Sequence, residues 1–242
     1  MENINILWEG LLPLDNIRWN QVRHQEFQLS SEFNSKIRNC WDKHIKENPN
    51  DYDGTLIFLD NFHFKDRLLF LDSSYMKFST ATFMVKNKIR IKKGIGLLGT
   101  QYFIFSPKKQ YFLVGERALS QPYFPGATTI PGGILEVSDL NRPPKEALMR
   151  EFHEEVDLPI KLETFLNAIL EGWNGTSVTF LISTTIDVTY DFNPEETIPA
   201  EKDEWKNDLR WLSHEELKRI PTNQLLDGLI YYQSIIIKNS IE

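Results

Sequence analysis

One amphipathic helix with strand-like runs on both sides of it constrains the fold of this chain more than any other feature. Residues 143–157 predict that helix, because Leu148, Phe152 and Val156 repeat every four residues and so share one face. Runs rich in apolar and β-branched residues, typical of strands, surround it at 96–105, 111–115, 162–170, 177–188 and 209–212. Strands around a half-buried helix favour an α+β fold with helices layered on a mixed sheet over a bundle or a barrel of hairpins.

Turn and cap signals complete the prediction for the second part of the chain. Residues 106–110 form a turn that makes a hairpin of the two runs beside it, and 125–133 predict a short strand that ends in a glycine turn. The order Ser213-His-Glu-Glu216 matches a capping box and predicts a helix start. A mostly apolar helix is expected at 223–237.

The first 93 residues have a different pattern and predict a small N-terminal α+β domain of unknown role. A mixed polar helix is expected over 15–46, where a cluster of turn residues ends it. Three strand-like runs follow, at 55–59, 67–71 and 78–84. A new pattern starts at Gly94, so we divide the chain into domains at 1–93 and 94–242.

Composition excludes several classes of protein. The net charge of −7 argues against a protein that coats nucleic acid, because neutralising phosphates requires a basic face. The single cysteine, Cys40, cannot form an internal disulfide, which fits a reducing compartment. The first residues contain no signal-peptide pattern, and no apolar run is long enough to cross a membrane. We therefore expect a cytoplasmic protein without nucleic-acid or membrane partners, and the sequence leaves open whether it forms a homodimer.

The polar face of the 143–157 helix carries the chemistry. Glu151, Glu154 and Glu155 are spaced so that their side chains share one face, where like charges repel. A divalent cation would offset that repulsion, and Mg²⁺ prefers oxygen ligands. Arg150 can reach Glu154 one turn away or fork onto Glu151. The alternative is a solvated surface helix, which glutamate-rich segments commonly form.

This segment resembles the Nudix family signature. That signature is a glycine, five residues, a glutamate, seven residues, and then Arg-Glu-hydrophobic-any-Glu-Glu-any-Gly-hydrophobic. Gly133 matches the glycine, 150–156 match the second half without a gap, and Leu158 matches the last hydrophobic position. The resemblance implies an α/β/α sandwich and a hydrolase that uses Mg²⁺ or Mn²⁺. It also implies metal ligands in Glu151, Glu154, Glu155 and the backbone carbonyl of Gly133, catalytic roles for Glu151 and Glu155, and an orienting role for Arg150.

The match departs from the signature in three places. Asp139 stands where the first glutamate is expected, and whether it replaces that glutamate stays open. Ten residues rather than seven separate it from Arg150, in a loop where added length costs little. Asp157 replaces the final glycine at a helix end, a position that Asp tolerates.

Residues outside the signature are also similar to the family. Glu204, in the acidic segment before 209–212, is a candidate fourth acid, either metal ligand or base; the alternative is a surface glutamate. Arg117 could bind a phosphate, and Tyr123 and Phe124, in a loop, could contact the substrate. The similar region covers 94–242. Some Nudix proteins that act on nucleotide sugars, UDP-sugar hydrolases among them, are similar in carrying a β-rich N-terminal extension.

Two functions follow from the sequence. The first is a metal-dependent hydrolase that splits a diphosphate linkage in a nucleoside diphosphate derivative, preferably a nucleotide sugar or ADP-ribose. The second, which the missing glutamate and the inserted loop motivate, is a catalytically inactive Nudix-fold module that binds ligands or acts as a scaffold. The complete Arg150-Glu151 and Glu154-Glu155 pairs favour the enzyme.

Overall fold

The structure, a computed structural model, describes residues 5–49, 51–90, 92–121, 124–156, 158–160, 163–172, 175–200 and 204–239. Within these ranges, one large mixed sheet dominates. Its strands are β1 (Asn5–Pro13), β2 (Ile17–Glu26), β3 (Thr55–Lys65), β4 (Leu68–Lys77), β5 (Gly96–Phe105), β6 (Tyr111–Glu116), β7 (Thr128–Thr129), β8 (Phe165–Gly172), β9 (Ser177–Thr185), β10 (Thr197–Ile198) and β11 (Leu209–Ser213). The helices are α1 (Asn34–Glu47), α2 (Phe78–Lys86), α3 (Pro144–Glu155), α4 (His214–Arg219) and α5 (Asp227–Asn239).

The sheet mixes parallel and antiparallel pairs. Its main path runs β1-β8-β9-β5-β3-β4-β2, in which β5 pairs in parallel with β9 and β2 in parallel with β4. The other neighbours on this path are antiparallel. Strand β6 joins β5 through the pair Phe105–Phe112 and carries β7 and β11 beside it.

Helices α3 and α5 cover opposite faces of β5 and β9. Tyr102 and Ile182 pack into one core cluster with Leu148 and Phe152 of α3. Residues one position along the same strands, such as Phe103 and Leu181, pack instead with Leu229 of α5. Because neighbouring side chains on a strand point to opposite faces, the sheet lies between two helical layers. The α+β sandwich expected from the sequence is confirmed.

The first 93 residues continue the same sheet. Strand β3 pairs with β5 through Phe58–Leu97 and Leu59–Gly96. The Ile57 N–H also donates to the Leu135 carbonyl, 2.8 Å away. This part of the chain therefore lies directly against the segment that leads into α3. The domain boundary between residues 93 and 94 stays a prediction.

Two secondary-structure predictions in this first part are wrong. The helix expected over 15–46 is confined to α1, and its first half is the strand β2, which lies parallel to β4. The strand expected over 78–84 is α2. Strand pairing and burial in the folded chain determined the structure of β2 and of α2, because local propensity predicts secondary structure only weakly. At α2, Asp53 accepts hydrogen bonds from the N–H and hydroxyl of Ser79, which stabilises the helix start from outside the helix.

Most predictions for the second part are confirmed. Strands β5, β6, β8, β9 and β11 and helices α3 and α5 form where the hydrophobic patterns indicate. The capping box at α4 forms as well, because the Ser213 hydroxyl accepts the Glu216 N–H at 3.3 Å. Among the described helices, none combines the length and apolar character that crossing a membrane requires.

Candidate active site

The Pro131-Gly132-Gly133 turn connects β7 to the segment before α3 and fixes it against β5. Gly132 has φ of +151°, and a Cβ there would lie 2.1 Å from the Thr100 carbonyl oxygen, so only glycine fits. Its N–H donates to Glu155 Oε2 at 2.7 Å. The Gly133 carbonyl accepts the Thr100 N–H at 2.8 Å and keeps a second lone pair for a metal, the role the sequence predicts.

Arg150 organises three carboxylates. Its Nε donates to both oxygens of Asp139, at 2.9 and 3.1 Å, and its Nη1 donates to Glu154 Oε2 at 2.6 Å. Its Nη2 donates to Glu151 Oε1. Asp139 is fully buried, and it binds the arginine from the position where the family signature has glutamate. The predicted contacts of Arg150 with Glu151 and Glu154 are thus present.

Glu151 carries an unusual pKa. Burial raises the pKa of its carboxyl from 4.5 to about 7, and the charges of Glu154 and Glu204 act in the same direction. The guanidinium of Arg150 opposes this shift without cancelling it. A carboxyl that titrates near neutral pH in a cleft is a functional-site signal.

Glu155 and Glu204 form a carboxyl pair. Burial, then the hydrogen bond to Glu204 and its charge, raise the pKa of Glu155 well above its ordinary value. Two carboxyls can share a hydrogen bond only when one of them holds a proton. Glu204 comes from the loop before β11, and its carbonyl accepts the Ala118 N–H at 2.8 Å, which fixes that loop to the segment after β6.

The four predicted glutamates do not all lie together. The structure brings Glu151, Glu155 and Glu204 close together, so that the charge of Glu204 acts to raise the pKa of Glu151 and that of Glu155. The side chain of Glu154 is 58% exposed and bound to Arg150 on the outer side of the helix. Its predicted role as a metal ligand would require it to leave Arg150.

The carboxylates fit a divalent cation by their donor chemistry. Among the described residues, no three His, Cys, Asp or Glu side chains are grouped closely enough to hold an ion as they stand. Glu151, Glu155 and Glu204 nevertheless offer only oxygen donors. Burial and then repulsion from neighbouring carboxylates raise the pKa of Glu151 and that of Glu155. A hard cation such as Mg²⁺ would relieve that repulsion.

A cleft of about 430 Å³ opens beside these acids. Glu151, Glu204, Gly133 and Arg117 line it. Burial lowers the pKa of Arg117, whereas the charges of Glu204 and Glu155 act to raise it. Arg117 is therefore a partly enclosed cation next to the acidic group, as a phosphate-binding role requires.

Residues from the first 93 also line the cleft, and the sequence did not predict this. They are Asp51, Tyr52, Gly54, Leu56 and Phe78. The Tyr52 hydroxyl donates to Glu136 Oε1 at 2.8 Å and so reaches across to the loop before α3. The cluster of turn residues at 48–54 predicted only a helix end, since its contact with the loop exists only after the sheet has assembled.

The aromatic predictions have mixed outcomes. Phe124 lines the cleft with 38% of its surface exposed, whereas Tyr123 lies outside the described residues. Trp211 of β11 is buried. Asp157 also lies outside the described residues.

Comparison with known proteins identifies the region that contains the acids. The family model of the NUDIX domain matches residues 99–231, which is more than half of the chain. The match begins within β5 and ends within α5, and it includes the glycine turn, α3 and Glu204.

Similar solved structures have low identity to this chain. A MutT protein from Methanosarcina mazei is 15% identical, with 63% of this chain and 99% of that chain covered and a TM-score of 0.41. A bifunctional NMN adenylyltransferase/ADP ribose pyrophosphatase from Francisella tularensis is 17% identical, with 66% and 48% covered and a TM-score of 0.43. The NUDIX domain of Shewanella oneidensis NrtR, complexed with ADP ribose, is 18% identical, with 61% and 89% covered and a TM-score of 0.41.

Proposed function

The chain belongs to the Nudix family of pyrophosphohydrolases, and on that premise we propose that it cleaves the diphosphate linkage of a nucleotide sugar, with ADP-ribose as the next candidate. The products would be a nucleoside monophosphate and a phosphorylated second group. The N-terminal extension supports the choice of substrate, because residues from it line the cleft beside the acids.

One observation carries the proposal: the Glu155–Glu204 carboxyl pair lies next to Glu151, at the glycine turn. Burial and neighbouring negative charges raise the pKa of Glu151 to about 7 and that of Glu155 well above its ordinary value, and a bound cation would compensate for their charge. We assign Glu151 and Glu155 to Mg²⁺ or Mn²⁺. When bound, the ion lowers the pKa of an attacking water and neutralises charge on the leaving phosphate.

The remaining steps belong to side chains of the cleft. Glu204 is our candidate for the base that accepts the proton of the water, since it approaches from a different loop than the α3 glutamates. Arg117 would bind a diphosphate oxygen, and Phe124 would stack against the base or the sugar. Arg150 keeps Glu151 in place through contacts on three sides.

The contact between Asp139 and Arg150 favours an enzyme over an inactive module. The inactive alternative was motivated by the absent first glutamate of the signature. Both Asp139 oxygens nevertheless accept the Arg150 Nε–H, so this arginine has a buried acidic partner.

A substrate panel tests the function directly. The protein is incubated with Mg²⁺ and nucleoside diphosphate derivatives, and both products are identified by mass. We expect Glu155→Gln to lower kcat/KM by at least about a hundredfold, because it removes a charge that acts on the metal and on Glu204. Glu146→Gln is the matched control, since it makes the same change at an exposed position of the same helix. Equal activity in Glu155→Gln and the parent protein would reject the assignment.

A further inference from the structure

One face of β5 and β9 carries both apolar and polar side chains. Phe103 and Leu181 lie on this face and pack against α5. Gln101, which pairs with Leu181, lies on the same face, as do Ser177 and Thr179 at the start of β9, and these three side chains form a polar stretch. A sheet face covered by a helix is ordinarily apolar, so the polar stretch calls for a different explanation.

The polar stretch is the floor of the cleft. Gln101, Ser177 and Thr179 line the same cavity as Glu151 and Gly133. The Thr100 N–H bonds to the Gly133 carbonyl, so the floor begins directly beside the glycine turn. A diphosphate held by the acids would therefore place one of its two esterified groups over these side chains.

Ser177 has an unused hydroxyl at this floor. Its residue surface is 4% exposed, and within the ranges that the structure describes its Oγ has no hydrogen-bond partner. Buried polar groups are ordinarily paired, so this hydroxyl is a candidate to pair with a ligand. Its oxygen has almost no accessible surface, so a ligand in the cleft would reach it only after neighbouring side chains move.

Glycine keeps other polar groups close to this hydroxyl. A Cβ at Gly172, on the neighbouring strand, would lie 2.9 Å from Ser177 Oγ, 3.1 Å from Thr179 Oγ1 and 2.9 Å from Asp227 Oδ2. Two hydroxyls and a carboxylate thus converge on one point. Beside them, the Gln101 Oε1 accepts the Gly228 N–H at 3.1 Å, which positions its amide at the start of α5.

We propose that Ser177 and Thr179, with Gln101 beside them, form a subsite that recognises the hydroxyl groups of a sugar ring attached to the second phosphate. Short hydroxyl and amide side chains donate and accept at once, which matches the alternating donors and acceptors of a polyhydroxylated ring. A substrate that ends in a bare phosphate would leave Ser177 unpaired. This inference rests on the proposed function, because it places the diphosphate at Glu151.

The test compares ligands with and without the sugar. Binding of UDP-glucose and ADP-ribose is measured by calorimetry beside binding of UDP and ADP, with Ca²⁺ in place of Mg²⁺ to suppress turnover. We expect the parent protein to bind a sugar-bearing ligand more tightly than the matching nucleoside diphosphate. Ser177→Ala and Thr179→Val should each weaken that ligand about tenfold and leave the nucleoside diphosphate unchanged. With a hydrolysed sugar nucleotide, the same variants should raise KM with little change in kcat.

Ser73→Ala is the matched control, because Ser73 is also fully buried with an unpaired Oγ but lies in β4, away from the residues that line the cleft. It should leave the sugar preference unchanged, and thermal unfolding checks that each variant folds. If Ser177→Ala fails to fold, Thr179→Val tests the subsite by itself.

The two proposals fail in different ways. If the protein hydrolyses a sugar nucleotide but both variants keep the same preference for sugar-bearing ligands, the subsite is overturned and the proposed function is retained. If no compound in the panel is hydrolysed, the proposed function is overturned. The calorimetric preference would still decide whether these side chains recognise the hydroxyl groups of a sugar. Equal binding of sugar-bearing and plain ligands by the parent protein would overturn the subsite.

Discussion

Two of the three carboxylates that Arg150 binds differ in burial. Asp139 is 0% exposed, whereas the side chain of Glu154 is 58% exposed. Breaking a buried ion pair leaves an uncompensated charge in the interior, but an exposed pair is screened by water. The same arginine therefore makes one contact that matters for stability and one that matters little.

We expect Asp139→Ala to lower the free energy of unfolding by about 3 kcal/mol, because it leaves the Arg150 guanidinium without its buried partner. Glu154→Ala should cost less than about 1 kcal/mol. Urea denaturation of both variants measures the difference. Similar losses in the two variants would show that burial does not separate the contacts.

The sequence predicted the contact of Arg150 with Glu154 because one helical turn separates these two residues. The contact with Glu151, its neighbour in the chain, was implied by the family resemblance. The sequence could not decide the role of Asp139. That residue lies on the other side of an inserted loop, and only the folded loop, in which Asp139 also accepts the Glu136 N–H at 3.0 Å, brings it to the arginine.

At the scale of the elements, the glycine turn before α3 tolerates little change. Gly132 combines a positive φ with a backbone oxygen of β5 where a Cβ would stand. Gly126 also has a positive φ, of +75°, but its nearest neighbour to a Cβ is a leucine methyl at 3.4 Å. A comparison of alanine substitutions at these two glycines therefore separates the cost of backbone strain from the cost of steric overlap.

Gly126→Ala should therefore cost about 1 kcal/mol, the strain of a left-handed residue. Gly132→Ala should cost roughly 2–4 kcal/mol, because overpacking adds to that strain. It should also lower activity, since the Gly132 N–H holds Glu155. Thermal unfolding and the panel assay measure these effects, and an alanine at Gly132 that unfolds no earlier than one at Gly126 would contradict the steric argument.

At the scale of the whole molecule, the acids make stability depend on pH. The folded state raises the pKa of Glu151 to about 7 and raises that of Glu155 also. A carboxyl whose pKa is raised by folding resists ionisation in the native state. Its contribution to stability is complete below its unfolded pKa and is lost as the pH rises through its folded pKa.

Without a divalent cation, the protein should therefore lose stability between about pH 5 and pH 8. Burial lowers the pKa of His214, which acts in the opposite direction in this window. Glu155→Gln isolates the carboxyls and should flatten the loss. Added Mg²⁺ should stabilise more at pH 8 than at pH 5, since binding requires deprotonated ligands. Thermal unfolding in a chelator and in Mg²⁺ measures this, and a melting temperature independent of both variables would count against a cation at these residues.

Much of the second part of the chain could be predicted because its signals are local. Periodicity in α3, the capping box at Ser213 and the long apolar run of β5 each specify an element from neighbouring residues. Elements of the first part, such as β2 and α2, contradict their local propensity, because a parallel partner strand and the carboxylate of Asp53 stabilise them from far along the chain.

The sequence by itself determined the helix that places Glu151 and Glu155 on one face, one turn apart, because a helical repeat converts spacing into proximity. Only the tertiary structure decided that Glu204 meets Glu155, that Asp139 meets Arg150, and that Tyr52 lies at the cleft. These groups come from separate loops and strands, and their distances depend on how the whole sheet packs, which no local pattern encodes.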